Sequence, residues 1–181
     1  MRWTKSRIRV TLSLVGIALT MFLISMTIGK DLLNGGKSTL LSFAMINFAG
    51  YLFILLLPVE ALIPIYIAEG YNGWILFFLA MGTLLVAQVI NYTVGRLMSE
   101  DIIHGLIGEK KFTKYKNKIS DYGPWTVVFF NVFPLASSVL SLVAGITRFK
   151  MKRLLFYTFI GATIKYLVLI FFSGKILGWF L

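Results

Sequence analysis

Long uncharged apolar runs alternate with short polar stretches along most of the chain. The runs are Val10–Ile28, Ser38–Val59, Gly70–Gly95, Tyr122–Thr147 and Leu154–Ile164, the last continuing past a lone Lys165 to Gly174. A helix rises ~1.5 Å per residue and a bilayer core is ~30 Å thick, so about 20 apolar residues cross it. The pattern predicts an all-α, polytopic integral membrane protein. Val10–Ile28 holds 19 residues without a charge. It lacks the short core and small-residue cleavage site of a signal peptide, so it reads as an uncleaved first span.

Two runs are interrupted. Pro58-Val59-Glu60-Ala61-Leu62-Ile63-Pro64 carries two prolines and an acid, with Glu69 following. Asn131-Val132-Phe133-Pro134 breaks the run Tyr122–Thr147, and Ser137-Ser138 follows it. Proline removes a backbone donor and clashes with the preceding turn. Broken backbone at membrane depth is tolerated only where protein or a cavity covers it.

The basic residues decide how these runs cross. The N-terminal flank holds Arg2, Lys5, Arg7 and Arg9; the connector holds Arg96, Lys110, Lys111, Lys114, Lys116 and Lys118; the last polar stretch holds Arg148, Lys150, Lys152 and Arg153. Basic flanks favour the cytoplasmic side. All three face one side only if each interrupted run enters and leaves from the same face. The chain then divides into residues 1–37 (cytoplasmic N-terminus, first span, outer linker), 38–95 (re-entrant hairpin and span), 96–121 (basic connector) and 122–181 (re-entrant hairpin and span). The two hairpin units enter from opposite faces and form inverted repeats. Transporters built this way place their site where the breaks meet. The connector reads as one or two amphipathic helices at the interface, or as a solvated link.

Composition agrees. Hydrophobic residues make up 58% and charged residues 14%, with mean hydropathy +0.84, against roughly 25% charge in a soluble domain. The net charge of +11 is explained by flanks that touch anionic headgroups, and nucleic acid is not an expected partner. Without cysteine there is no disulfide and no thiolate metal site. One histidine, His104, sits in the connector, and no hydrolytic cluster or metal site can be assembled; neither enzyme activity nor a cofactor is expected. Gly36-Lys37-Ser38-Thr39 resembles the end of a phosphate-binding loop, but position 31 is Asp31 where that loop needs glycine.

The candidate site residues are charges and polar groups stranded in apolar runs. An ionised carboxylate there is costly, so Glu60 and Glu69 are read as paired, protonated or functional, with proton binding as the functional reading. The alternative is an acid at the membrane interface, and Glu69, opening Glu69-Gly70-Tyr71-Asn72-Gly73-Trp74, also fits a wet loop. Lys165 stands 12 residues beyond Arg153, roughly 18 Å along a helix. It needs a carboxylate or an anionic ligand, unless it snorkels outward. Asn131 and Ser137 flank the second break, where they serve either the broken backbone or a ligand. Gln88 and Asn91 put two amides one turn apart in a span, for helix–helix bonding or a site. Pro58, Pro64 and Pro134 are the expected structural tips.

Phe130-Asn131-Val132-Phe133-Pro134-Leu135-Ala136-Ser137, followed by Ala144-Gly145 and Arg148-Phe149-Lys150-Met151, resembles the signature of the DedA family, also called the VTT or SNARE-associated domain. Tyr122-Gly123-Pro124-Trp125, Glu60…Pro64…Glu69 and Tyr92-Thr93-Val94-Gly95-Arg96 resemble its other motifs, over residues 38–178. The resemblance implies two opposed re-entrant hairpins in a cell-membrane protein. It implies translocation or scrambling of a lipid or lipid-linked phosphate, a flippase or scramblase activity. Glu60 and Glu69 would take the acidic roles in proton coupling. Where the family's tip carries two arginines this chain has Asn131 and Ser137, and an acid before the tyrosine is Gln88. Lys165 or Arg148 would have to replace the lost arginines, or the substrate is less anionic. A small-ion or proton-coupled solute transporter and a non-transporting scaffold are the alternatives. The oligomeric state is left open.

Overall fold

The computed structural model describes residues 16, 39–52, 59–97, 108–133 and 137–180. The expected first span lies outside these residues except for Gly16, as do Pro58, Pro134 and His104. Every described element is helical: α1 (Leu40–Gly50), a 3-10 turn (Val59–Ala61), α2 (Leu62–Ala68), α3 (Gly73–Leu97), α4 (Glu109–Tyr122), α5 (Pro124–Val132), α6 (Ser137–Ile146) and α7 (Met151–Phe180). Among the described residues two helices are long and apolar enough to cross a membrane, α3 and the Met151–Ser173 part of α7.

Local chemistry sets the helix ends. Thr39 caps α1 reciprocally with Ser42: the Ser42 N–H donates to Thr39 Oγ1 at 3.1 Å and the Thr39 N–H to Ser42 Oγ at 3.0 Å. Asn72 caps α3, its Oδ1 accepting from the Trp74 N–H at 2.8 Å. Pro124 opens α5 at a position whose N–H has no helical partner. Phe133, the residue before Pro134, is extended at φ −87° and ψ 150° and ends α5. Pro64, expected at a break, instead stands in the first turn of α2, where a missing donor costs no helical bond. Chain closure at this break is tight: a Cβ on Gly50 would collide with the Val59 side chain.

The packing has a crossed pattern. Each long helix takes the first short helix of its own unit, α1 on α3 and α5 on α7. It also takes the second short helix of the other unit, α6 on α3 and α2 on α7. The two units therefore exchange limbs, and α3 and α7 also touch each other. The α3–α6 contact is backbone on backbone. Cβ atoms on Gly95 and Gly145 would collide with the Leu142 and Tyr92 carbonyl oxygens respectively, an approach only small residues permit.

Amphipathic α4 buries Phe112, Tyr115 and Ile119, a stripe at helical spacing, against a core shared by α3, α5, α6 and α7. Phe78, Phe156, Phe171, Phe172 and Trp125 stay exposed on the outer surface. So much exposed aromatic area suits contact with lipid better than water.

Candidate functional site

Glu60 and Lys165 form an ion pair, Nζ to Oε1 at 3.0 Å, with side-chain exposures of 16% and 5%. The 3-10 turn before α2 carries the acid, and α7 carries the lysine. The same contact that lays α2 against α7 thus brings the two charges together across 105 residues of sequence.

Two tyrosines complete the cluster. The Tyr51 hydroxyl donates to Glu60 Oε1 at 3.2 Å and accepts from Lys165 Nζ at 2.9 Å and from the Tyr166 hydroxyl at 3.0 Å. One donor and two acceptor lone pairs are all used. Lys165 Nζ also lies over both rings, 5.0 Å from the Tyr51 centroid and 5.1 Å from that of Tyr166, a favourable place for a cation. A buried charge stripped of its partner is costly, so each member of the pair fixes the other.

A second, neutral cluster lies beside it. The Asn91 side chain on α3 donates to the Tyr51 carbonyl at 2.8 Å. One turn earlier, Gln88 Nε2 donates to Asn131 Oδ1 at 3.4 Å. Asn131 Nδ2 in turn donates to the Val127 carbonyl at 2.8 Å and to Thr158 Oγ1 at 3.4 Å. The chain ends that flank the two interruptions, Tyr51 after α1 and Asn131 in α5, thus attach to one turn of the same long helix. Gln88 Oε1 and Asn47 Oδ1 are buried acceptors with no donor among the described residues, the setting in which ordered water is found.

Of the residues singled out from sequence, the structure joins Glu60 with Lys165, and Asn131 with Gln88. Ser137 is buried at the start of α6, its carbonyl accepting from Ser141 Oγ at 3.0 Å. Glu69 is not part of either cluster: it caps the C-terminus of α2 and is exposed. Tyr51 and Tyr166 were not foreseen. Their signal was slight, a tyrosine next to the stranded Lys165 and another at the end of α1.

The family model of the VTT domain, the domain of DedA proteins, matches residues 38–175. The chain belongs to the VTT-domain family. No curated protein and no solved structure matches it. The VTT domain marks a membrane-associated family to which transport is commonly assigned. The matched stretch runs from the start of the first interrupted unit nearly to the end of α7. It contains both clusters and excludes the first expected span. In this VTT-domain chain the positions likened to an acid and a tip arginine, Gln88 and Asn131, meet as a neutral amide pair. Among the described residues the buried cation is Lys165, on α7.

Proposed function

We propose that this VTT-domain protein is a cell-membrane transporter that carries a lipid or lipid-linked anion across the bilayer, coupled to protons. Its N-terminus would be cytoplasmic and its two interrupted units would be inverted re-entrant repeats. The observation that carries the reading is the buried Glu60–Lys165 pair, held by the Tyr51 hydroxyl with Tyr166 donating to it, beside the turn of α3 to which the flanks of both interruptions attach. A stable fold has little use for such a pair, since apolar side chains of the same volume are often as good or better. A transporter needs a titratable group and a charge it can re-pair. The exchanged limbs support inverted repeats, because each unit lays its second short helix on the other unit's long helix.

Lipid is favoured over a water-soluble solute by the outer surface. A groove of about 350 Å³ lined by Lys118, Trp125, Thr126, Phe129 and Phe130 opens on it. A basic group above an aromatic floor suits an anionic headgroup with its tail in the bilayer.

The test is purified protein in liposomes, with a panel of labelled lipids followed across the bilayer. Glu60→Gln keeps the size of the side chain and removes the exchangeable proton; transport is expected to fall or to lose its pH dependence. An unchanged pH–rate profile at matched protein density would leave proton coupling without its carrier. Because Glu69 is exposed and apart from the cluster, Glu69→Gln is expected to transport normally, and a defect as large as that of Glu60→Gln would move the site toward the α2–α3 loop.

Topology has its own test. The chain has no cysteine, so single cysteines report cleanly. Labels at Lys5, Lys116 and Lys152 are expected to react only from the cytoplasm, and one at Asn34 only from outside. Opposite accessibility of Lys116 and Lys152 would rule out the second re-entrant unit.

A further inference from the structure

We propose that Lys165 and Tyr51 form an oxyanion-binding site whose resting occupant is the Glu60 carboxylate, so that an anion enters only when Glu60 takes up a proton. The inference rests on the reading of this cluster as the substrate site and adds to it the anion's ligands and the reason proton and anion move together.

Two donors converge on one oxygen. Lys165 Nζ and the Tyr51 hydroxyl both reach Glu60 Oε1, at 3.0 and 3.2 Å, and are themselves 2.9 Å apart. A phosphate or carboxylate oxygen asks for the same geometry. The carboxylate therefore stands where a substrate oxyanion would, and the two compete for the same donors. Tyr166 supports the pair from behind by donating to Tyr51. The Lys165 side chain is the more deeply buried and Glu60 the more open, so an incoming anion meets Glu60 first.

Charge balance then couples the two ligands. With Glu60 ionised, the Glu60–Lys165 pair is neutral. With Glu60 protonated and one anionic charge bound, it is neutral again. The anion alone leaves an excess negative charge in the apolar interior, and the proton alone leaves an excess positive one; both are penalised there. In the step, a proton from water adds to the carboxylate and the Glu60–Lys165 ion pair breaks. The neutral acid gives up its place, and an ammonium–oxyanion pair forms. Among the described residues, the titratable groups that face Glu60 are Lys165 and Tyr166 on α7 and Tyr51 after α1. From α3 the cluster receives the neutral Asn91, through the Tyr51 carbonyl. Tyr66 on α2 instead shares its hydroxyl with Ser42 at 2.7 Å.

The test uses the full chain in detergent micelles at one fixed pH, so that the ligand's own titration cannot contribute. Binding of inorganic phosphate and of a short-chain phosphatidic acid is measured calorimetrically. Glu60→Gln imitates the protonated acid and is expected to bind on the order of tenfold tighter than the unaltered protein, a typical coupling between two ligands. Adding Lys165→Met to Glu60→Gln leaves no charge to bury, so this double variant folds, and the gain is expected to vanish. Adding Tyr51→Phe instead is expected to remove part of it. A Glu60→Gln protein that binds no tighter than the original, or a double variant that keeps the gain, would overturn the proposal. A gain with phosphatidic acid alone supports a lipid headgroup site. A gain with inorganic phosphate alone supports the proposal for a free oxyanion and counts against lipid as the cargo. Lipid movement in liposomes without any gain in binding leaves transport standing and ends the proposal.

Discussion

Lys165→Met is expected to destabilise the protein by about 3–5 kcal/mol, and Glu60→Gln in the same chain to restore most of the loss. The magnitude follows from the asymmetry of buried ion pairs: removing one partner strands the other, whereas neutralising both removes the penalty with the attraction. The methionine keeps the length and most of the apolar contact of the lysine stem, so little of the effect comes from packing. It leaves the Glu60 carboxylate with Tyr51 as its described hydrogen-bond donor, and leaves the Tyr51 hydroxyl one donor short. In the double variant a neutral amide takes the carboxylate's place and can still accept from Tyr51. Unfolding of the single and double variants, titrated from mixed micelles, checks the sign. Equal losses in both would show that lysine packing, not charge pairing, holds α2 against α7.

The same pair shows how much of the site is legible in the sequence. Glu60 and Lys165 stood out because a charge inside an apolar run has few innocent explanations, and the depth of Lys165 along the last run left it a carboxylate, an anionic ligand or a path outward by snorkelling. The end of α5 was legible because the residue before a proline leaves the helical region, and Phe133 does; α1 ends at Gly50, ahead of the first proline, and no such rule marks it. What was hidden is the exchange of limbs, which places the second short helix of each unit on the other unit's long helix; no local pattern encodes which of several apolar faces will meet. The tyrosines were hidden for a related reason. In an apolar run a tyrosine serves equally as core or interface, and only the fold reveals that the hydroxyls of Tyr51 and Tyr166 meet at 3.0 Å. The placement of Pro64 differed because a proline in the first helical turn and a proline at a break look alike in sequence. Glu69 is the same residue type as Glu60, but it opens a Gly- and Asn-containing stretch that also fits a wet loop, and it falls at an exposed helix end.

Gly95→Ala is expected to cost about 1–3 kcal/mol or more, while Gly82→Ala in the same helix is neutral or stabilising by up to about 1 kcal/mol. Both replacements add one methyl group to α3. At Gly82 that methyl meets open space, and alanine is the better helix former. At Gly95 it would enter the Leu142 carbonyl of α6, which is part of a helical backbone and cannot rotate away as a side chain would. The helices must separate, and overpacking of this kind costs in that range. The consequence reaches the site. Helix α6 begins at the buried Ser137 and Ser138 beside the second interruption, and α3 carries Gln88 and Asn91. Forcing α6 away from α3 at Gly95 disturbs the element that holds both interruptions to one turn. Thermal midpoints of the two variants in the same detergent check the contrast. Matching midpoints would mean that α3 and α6 do not meet backbone to backbone, and with that contact would go the structural reason for a small residue at both Gly95 and Gly145.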